Sequence, residues 1–267
     1  MPDNINLTPK ELLFIAANLG ATEFMGIPDA FFGMEEDDMQ QEASAIQSSL
    51  EEKGYAEMDF DGDFALLDSI SEAVNICANC DVFIAVDVNI VGQVPQRHLY
   101  YEKSGSIIKI TEDANGYFLS PLDTSKQLAA DILQNSTIQM PNSSLLKDAS
   151  LSNATLIAIK SSKGDAGNID TLIKNGCDET SAKAIISGLA EEADYFSITA
   201  IVYSGTTEGV YSLMLSIHEN GMYSLEPVPS TLDEGDGNVM FKSITAGTAR
   251  LVISNVIRCA FPEVAYE

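Results

Sequence analysis

The sequence predicts an α+β fold: a central antiparallel sheet with packed helices, built from two pseudo-twofold-related helix–β-meander–helix halves. Three observations predict it. Apolar residues recur at helical spacing early in the chain, switch to a period of two after residue 81, and repeat that succession after a polar stretch. The pairs Asn115-Gly116 and Asn220-Gly221 each lie between alternating runs, and both residue types tolerate the positive φ of a tight hairpin. Finally, Ile110–Pro121 aligns with Ser216–Pro227, with the two glycines 105 residues apart (116 and 221). The 267 residues, 45% hydrophobic, are enough chain for one large domain or two small ones.

Along the first half, residues 1–135, Thr8-Pro9-Lys10-Glu11 predicts a helix start, with Thr8 as cap, Pro9 at the first position and Glu11 completing a capping box. Leu12, Ile15, Ala16 and Leu19 continue it to Gly20. Met25–Met34 is a loop with Gly26, Pro28 and Gly33, unusually rich in outward-looking Phe31 and Phe32. A second helix is expected from Glu36 to Lys53, and a third from Asp63 with Phe64, Leu67, Ile70 and Val74 on one stripe. Val82 to Ile90 alternates as a strand. His98–Glu102 and Ser106–Thr111 flank a tight turn at Lys103-Ser104-Gly105, and Asp123 opens a helix through Leu128, Ile132 and Leu133.

Residues 136–153, rich in Ser, Asn and Thr, are expected to connect the halves, with Leu145 and Leu146 against the body. In the second half, residues 154–267, a helix is expected over Asp178–Glu192 and strands over Tyr195–Tyr203 and Val210–His218. A last helix from Ser243 would carry Ile244, Leu251, Val252 and Val256.

The net charge is −26, from 40 acids against 14 bases, and it is uneven. Residues 1–96 hold 19 acids and two bases, while residues 184–241 hold no Lys or Arg. Such a field repels nucleic acid and anionic lipid, so neither is expected as a partner. It suits colloidal solubility, or attraction to a basic or aggregation-prone protein. No run is long and apolar enough to insert in a membrane, and Met1-Pro2-Asp3-Asn4 does not open a signal peptide, so a cytoplasmic location is expected.

Chemistry-bearing motifs are few. Cys77-Ala78-Asn79-Cys80 follows a helix instead of opening one, so the dipole and the acidic surroundings should raise its thiol pKa, against a thiol-redox role. Zinc would need a second close ligand pair, which Cys177, Cys259, His98 and His218 do not supply. Glu57–Asp68 resembles part of a calcium loop, but Glu57 replaces the first Asp and Asp68 the bidentate Glu; a capped turn explains it equally. The acidic stretch Asp233–Asn238 is expected as a hairpin loop. There is no phosphate loop and no GxSxG elbow, and His218 is expected as a solvated sheet residue. No catalytic residue, metal or cofactor is expected, and the chain is not expected to be an enzyme.

The succession Glu11-Leu12-Leu13, Leu19-Gly20, Leu50-Glu51-Glu52-Lys53-Gly54-Tyr55, Phe60-Asp61-Gly62-Asp63-Phe64 and Cys80-Asp81-Val82-Phe83-Ile84 resembles the EspG family of type VII (ESX) secretion chaperones. The likeness covers about 130 residues in pattern rather than identity. It implies a non-enzymatic cytosolic chaperone that binds a helical secreted protein, masks its apolar tip and keeps it soluble. Such a client would be PE/PPE-like, or, given the chain's unusual acidity, WXG100- or LXG-like. The resemblance implies client contact through the turn at Lys103, Ser104 and Gly105 and through the C-terminal helix, at Ile244, Leu251 and Val252. An acidic interaction module or decoy without a secretion role is the alternative, and a thiol-redox enzyme using Cys77 and Cys80 ranks behind it.

Overall fold

The computed structural model describes residues 5–58, 64–114, 116–135, 140–161, 167–190, 193–204, 207–228 and 237–262. Among them, the first half contains β1 (Ile5–Leu7), α1 (Pro9–Asn18), α2 (Glu36–Glu52), β2 (Ala56–Met58), β3 (Phe64–Leu66), α3 (Asp68–Ala78), β4 (Val82–Asn89), β5 (Gln96–Lys103), β6 (Ser106–Asp113), β7 (Gly116–Leu122) and α4 (Ser125–Asn135). The remainder contains β8 (Ala149–Ser152), α5 (Asn153–Ser161), α6 (Gly167–Lys174), α7 (Glu179–Gly188), β9 (Tyr195–Ser204), β10 (Thr207–His218), β11 (Gly221–Val228), β12 (Asn238–Ile244) and α8 (Ala246–Ala260). Ten strands form one sheet in the order β1-β7-β6-β5-β4-β9-β10-β11-β12-β8, and β2 and β3 form a separate pair. The α+β class and the large antiparallel sheet stand as expected.

Each half follows one rule of pairing. A four-strand meander is bordered by a short strand from earlier in the same half. Thus β1 pairs antiparallel with β7 (Ile5 opposite Leu119), and β8 with β12 (Leu151 opposite Val239). The strand β8 therefore lies inside the stretch expected to be a plain connector. The matching of the two Asn-Gly turns does not survive as an alignment. Gly116 opens the fourth strand of its meander, β7, whereas Gly221 opens the third strand of the other, β11. Asn115 lies outside the described residues.

Contacts divide the chain into two compact units: Met1–Ala85 with Arg97–Leu128 and Ile201–Gly209, and Val86–Gln96 with Ala129–Ala200 and Val210–Glu267. In the first, α1 starts as its local sequence dictates. Thr8 Oγ1 accepts from Glu11 N at 3.2 Å, and Glu11 Oε2 accepts from Thr8 N at 2.7 Å. The apolar stripe of α1, Leu12, Ile15 and Ala16, packs with Ile70, Ala73 and Val74 of α3 and with Ile108 and Ile110 of β6. At Gly116, φ is +137° and an added Cβ would fall 2.5 Å from the carbonyl oxygen of Leu7, so only glycine lets β1 lie so close to the turn.

The third helix begins at Asp68, five residues later than expected. Phe64–Leu66 pairs instead with Ala56–Met58, and Leu67 is extended at the N-cap. Asp59–Asp63, the centre of the calcium-like stretch, lies outside the described residues, as does most of the Asp233–Asn238 loop.

In the second unit, Leu146, Leu151, Ile159, Leu172, Ala182, Ile185, Tyr223 and Phe241 form the core. Tyr223 and Phe241 meet edge to face at 5.7 Å, and the Tyr223 hydroxyl donates to the carbonyl of Lys147 at 2.9 Å. Of the connector leucines, Leu146 is buried and Leu145 is exposed. The final helix starts at Ala246, not Ser243. Thr245 Oγ1 caps it by accepting from Thr248 N, and the residues before it belong to β12.

Candidate partner-binding surfaces

The first expected contact element is a two-residue turn between β5 and β6. Lys103 pairs with Ser106, and Ser104 and Gly105 have φ of +51° and +88°, the twist that suits a two-residue hairpin. Two carboxylates hold it rigid. Ser104 N donates to Asp81 Oδ2 at 3.0 Å, and Gly105 N donates to Glu102 Oε1. The exposed tip therefore presents backbone and one half-buried lysine against an acidic base.

The C-terminal residues separate. Ile244 is buried at the end of β12, opposite Met222, and is not part of the helix stripe. The buried face of α8 is Ala246, Ala249, Ile253, Val256, Ile257 and Ala260. Leu251 is 67% exposed beside Arg250, and Val252 is half-buried. The outer face of α8 is thus a single leucine in basic surroundings, since Arg250 and Arg258 are its charged residues.

Two further apolar groups in the second unit escape a reading by alternation. Val210, Tyr211 and Met214 of β10 are exposed, although Tyr211 shares the strand face of Leu213 and Leu215. Val91 and Val94 are exposed on the loop from β4 to β5. That loop is anchored: Val91 N donates to Asp194 Oδ1 at 2.6 Å, and Asn89 Nδ2 donates to the carbonyl of Ala193 at 2.7 Å.

Beside Val91 lies a concavity of about 530 Å³ lined by Lys183, Ser187, Asp194 and His218 among others. His218 is not the solvated residue expected from its strand face. Burial pushes its pKa down to about 4, against the opposing pull of Asp194. Its partners assign the tautomer. Ser187 donates its only hydroxyl hydrogen to the carbonyl of Ala184, so at 3.1 Å it accepts from His218 Nδ1. Nε2 then accepts from Ser216 Oγ at 2.9 Å. Ser187 thus ties α7 to β10, whereas the Ser216–His218 contact lies within β10, and Ser216, 3% exposed, does not present a nucleophile to the concavity. Lys183 is engaged by Glu179 at 2.6 Å.

Cys77 is buried in the last turn of α3, and its thiol is pushed far up by burial, with Cys80 adding to the effect. Cys80 is pushed up to about 11, chiefly by burial, with Asp81 and Glu102 contributing. The direction is the one expected, but burial rather than the helix dipole is the main cause. Among the described residues, no group of three or more His, Cys, Asp or Glu is placed to hold a metal ion. No helix of the described residues is long and apolar enough to cross a membrane.

No family model matches the sequence, and no curated protein matches it. Among solved structures, the chain is similar to the Mycobacterium tuberculosis type VII secretion system chaperone EspG5, solved in complex with a PE25–PPE41 dimer. The likeness covers 98% of both chains with a TM-score of 0.62 at 12% sequence identity, and it shows an EspG-like fold.

Proposed function

We propose that this chain is a cytoplasmic, non-catalytic chaperone of type VII secretion that binds a helical export substrate and keeps it in solution. The observation that carries the reading is the fold likeness to EspG5, a chaperone solved in complex with a PE25–PPE41 dimer, over 98% of both chains. A likeness of that extent leaves little of either chain outside the shared architecture. The partner favoured is PE/PPE-like, with the β5–β6 turn at Lys103–Gly105 and the outer face of α8 at Leu251 and Val252 contributing contacts. Apolar contact would supply the affinity, and the charge of −26 the encounter rate and the solubility of the complex.

The test is co-purification of the tagged full chain from its native cell, with the partner identified by mass spectrometry and the complex then washed at about 1 M salt, where the screening length is about 3 Å. Recovery of a small helical secreted protein that stays bound through the wash is the expected result. A basic protein set released by salt would replace the chaperone reading with that of an acidic decoy.

A further inference from the structure

The first unit holds a groove of about 600 Å³ that the client reading does not use. Its floor is one flank of α1, at half-buried Leu13 and exposed Ala17 with buried Ala16 beneath, continuing to Ala21. Its far wall is the segment after α1, with Met25 and Phe31, and the start of α2 at Met39. We infer that this groove is a separate docking surface, and that its occupant is a basic amphipathic helix of a partner protein.

Three features carry the inference. The wall is preorganised. The Tyr101 hydroxyl donates to the carbonyl of Met25 at 2.6 Å, Phe31 N donates to Asp29 Oδ1 at 2.9 Å, and Met34 N donates to the carbonyl of Phe31 at 3.0 Å. Gly26 makes the seating possible, because an added Cβ would fall 2.9 Å from the ring of Phe83. A fixed wall avoids the ordering cost that weakens binding by loose loops.

The apolar content is shaped for large incoming side chains. The floor offers alanines, while Phe31 and Met39 stand at the side and Phe32 is 90% exposed on the same turn. An α1 of ten residues spans about 15 Å, room for nearly three turns of a partner helix lying along it.

Charge complementarity selects the occupant. Residues 20–52 contain nine acids and no Lys or Arg. Glu23 and Asp29 lie on the groove itself, and Glu35, Asp37 and Asp38 are exposed just before Met39. Lys10 of α1 is held by Glu42 at 2.8 Å. An apolar groove with that border repels acidic or anionic ligands and attracts an apolar face edged with lysine or arginine.

The probe is a fluorescein-labelled helix of about fifteen residues made only of Leu and Lys in an i, i+3, i+4 pattern. Its comparators are a scrambled peptide of identical composition and a Leu/Glu peptide of identical pattern. Anisotropy titration of the full chain should show the amphipathic basic helix binding at least about tenfold tighter than the scramble, and no binding of the Leu/Glu helix. Ala17→Trp, which fills the groove, should weaken it about tenfold, and Met39→Ala should weaken it severalfold. If Ala17→Trp lowers the melting temperature, Met39→Ala decides, because that groove-lining side chain is 43% exposed and contributes little to the fold. Leu251→Asp should leave peptide affinity unchanged, which keeps this inference separate from the chaperone reading. Absence of binding, equal binding of the scramble, or unchanged affinity in Met39→Ala overturns the inference and leaves only diffuse attraction to an acidic chain.

Discussion

Lys53 Nζ lies 2.6 Å from Oε2 of Glu11, a carboxylate only 2% exposed at the start of α1. The same carboxylate accepts from Ser49 Oγ at 2.7 Å and from Thr8 N at 2.7 Å, so one buried side chain caps α1 and ties it to α2. Burial alone would raise its pKa, but Lys53, Ser49 and Thr8 together outweigh burial and hold it below its ordinary value. Glu11→Ala should destabilise the fold by about 2–4 kcal/mol, since it leaves three donors without their acceptor, and Glu11→Gln by less. The sign with pH follows from the lowered value. The contribution is complete above the unfolded pKa of about 4.3 and is lost as pH falls through the folded one. Denaturant melts at pH 7 and pH 3 check both points: the gap between wild type and Glu11→Ala should shrink in acid.

His218 should give the opposite group's version of acid sensitivity. Its folded pKa is near 4 while the unfolded chain titrates near 6.5, so between those values only the unfolded chain gains the proton. Stability is therefore lost as pH falls from 6.5 toward 4, and His218→Asn should flatten that limb. Proton NMR of the imidazole Cε1–H resonance is the direct check. A titration midpoint above pH 6 would contradict the half-buried neutral ring and the Ser187–His218–Ser216 chain.

Gly188 closes α7 against the same cluster. A Cβ there would fall 2.2 Å from Ser216 Oγ and 3.0 Å from the His218 ring. Gly188→Ala should therefore destabilise by about 1–3 kcal/mol, although alanine is the better helix former at an open site. Pairing it with Ser216→Ala should recover part of the loss, because the oxygen that collides is gone. A thermal melt in which Gly188→Ala is more stable than wild type would refute the close approach.

Legibility in the sequence followed the range of the forces involved. Thr8, Pro9 and Glu11 lie within one helical turn, so the start of α1 could be read directly. The β4–β7 meander was readable because its strands are seven or eight residues long, enough to display a period of two. Strands β1, β2, β3 and β8 have only three or four residues, and their conformation is decided by distant partners such as Leu119 for Ile5. Helix α5 is capped by Ser152, whose Oγ accepts from Thr155 N at 3.2 Å, but that serine lies in the Ser- and Asn-rich stretch read as a connector, without the Pro and Glu that mark the start of α1. At the C-terminus, Ile244 lies one helical repeat before Leu251, so Ser243 and Ile244 read as the start of the last helix, whereas pairing with β11 places both in β12. His218 was misplaced for the same reason: α7 covers its strand face, and nothing local announces that cover.

The chaperone reading makes its sharpest demand at Leu251. The side chain is 67% exposed on the outer face of α8, so Leu251→Asp leaves the core intact and should change stability by less than about 0.5 kcal/mol. If α8 contacts the client through this residue, the substitution should weaken the complex about tenfold and act mainly on the dissociation rate. Lys103→Glu, at the β5–β6 turn, should instead slow association at low salt and lose its effect as salt rises, because a charge at a solvent-facing turn steers encounters more than it holds a complex. Surface plasmon resonance on the co-purified partner separates the two outcomes. Normal dissociation from Leu251→Asp, together with loss of the wild-type complex in moderate salt, would remove α8 from the contact surface and favour binding by charge alone.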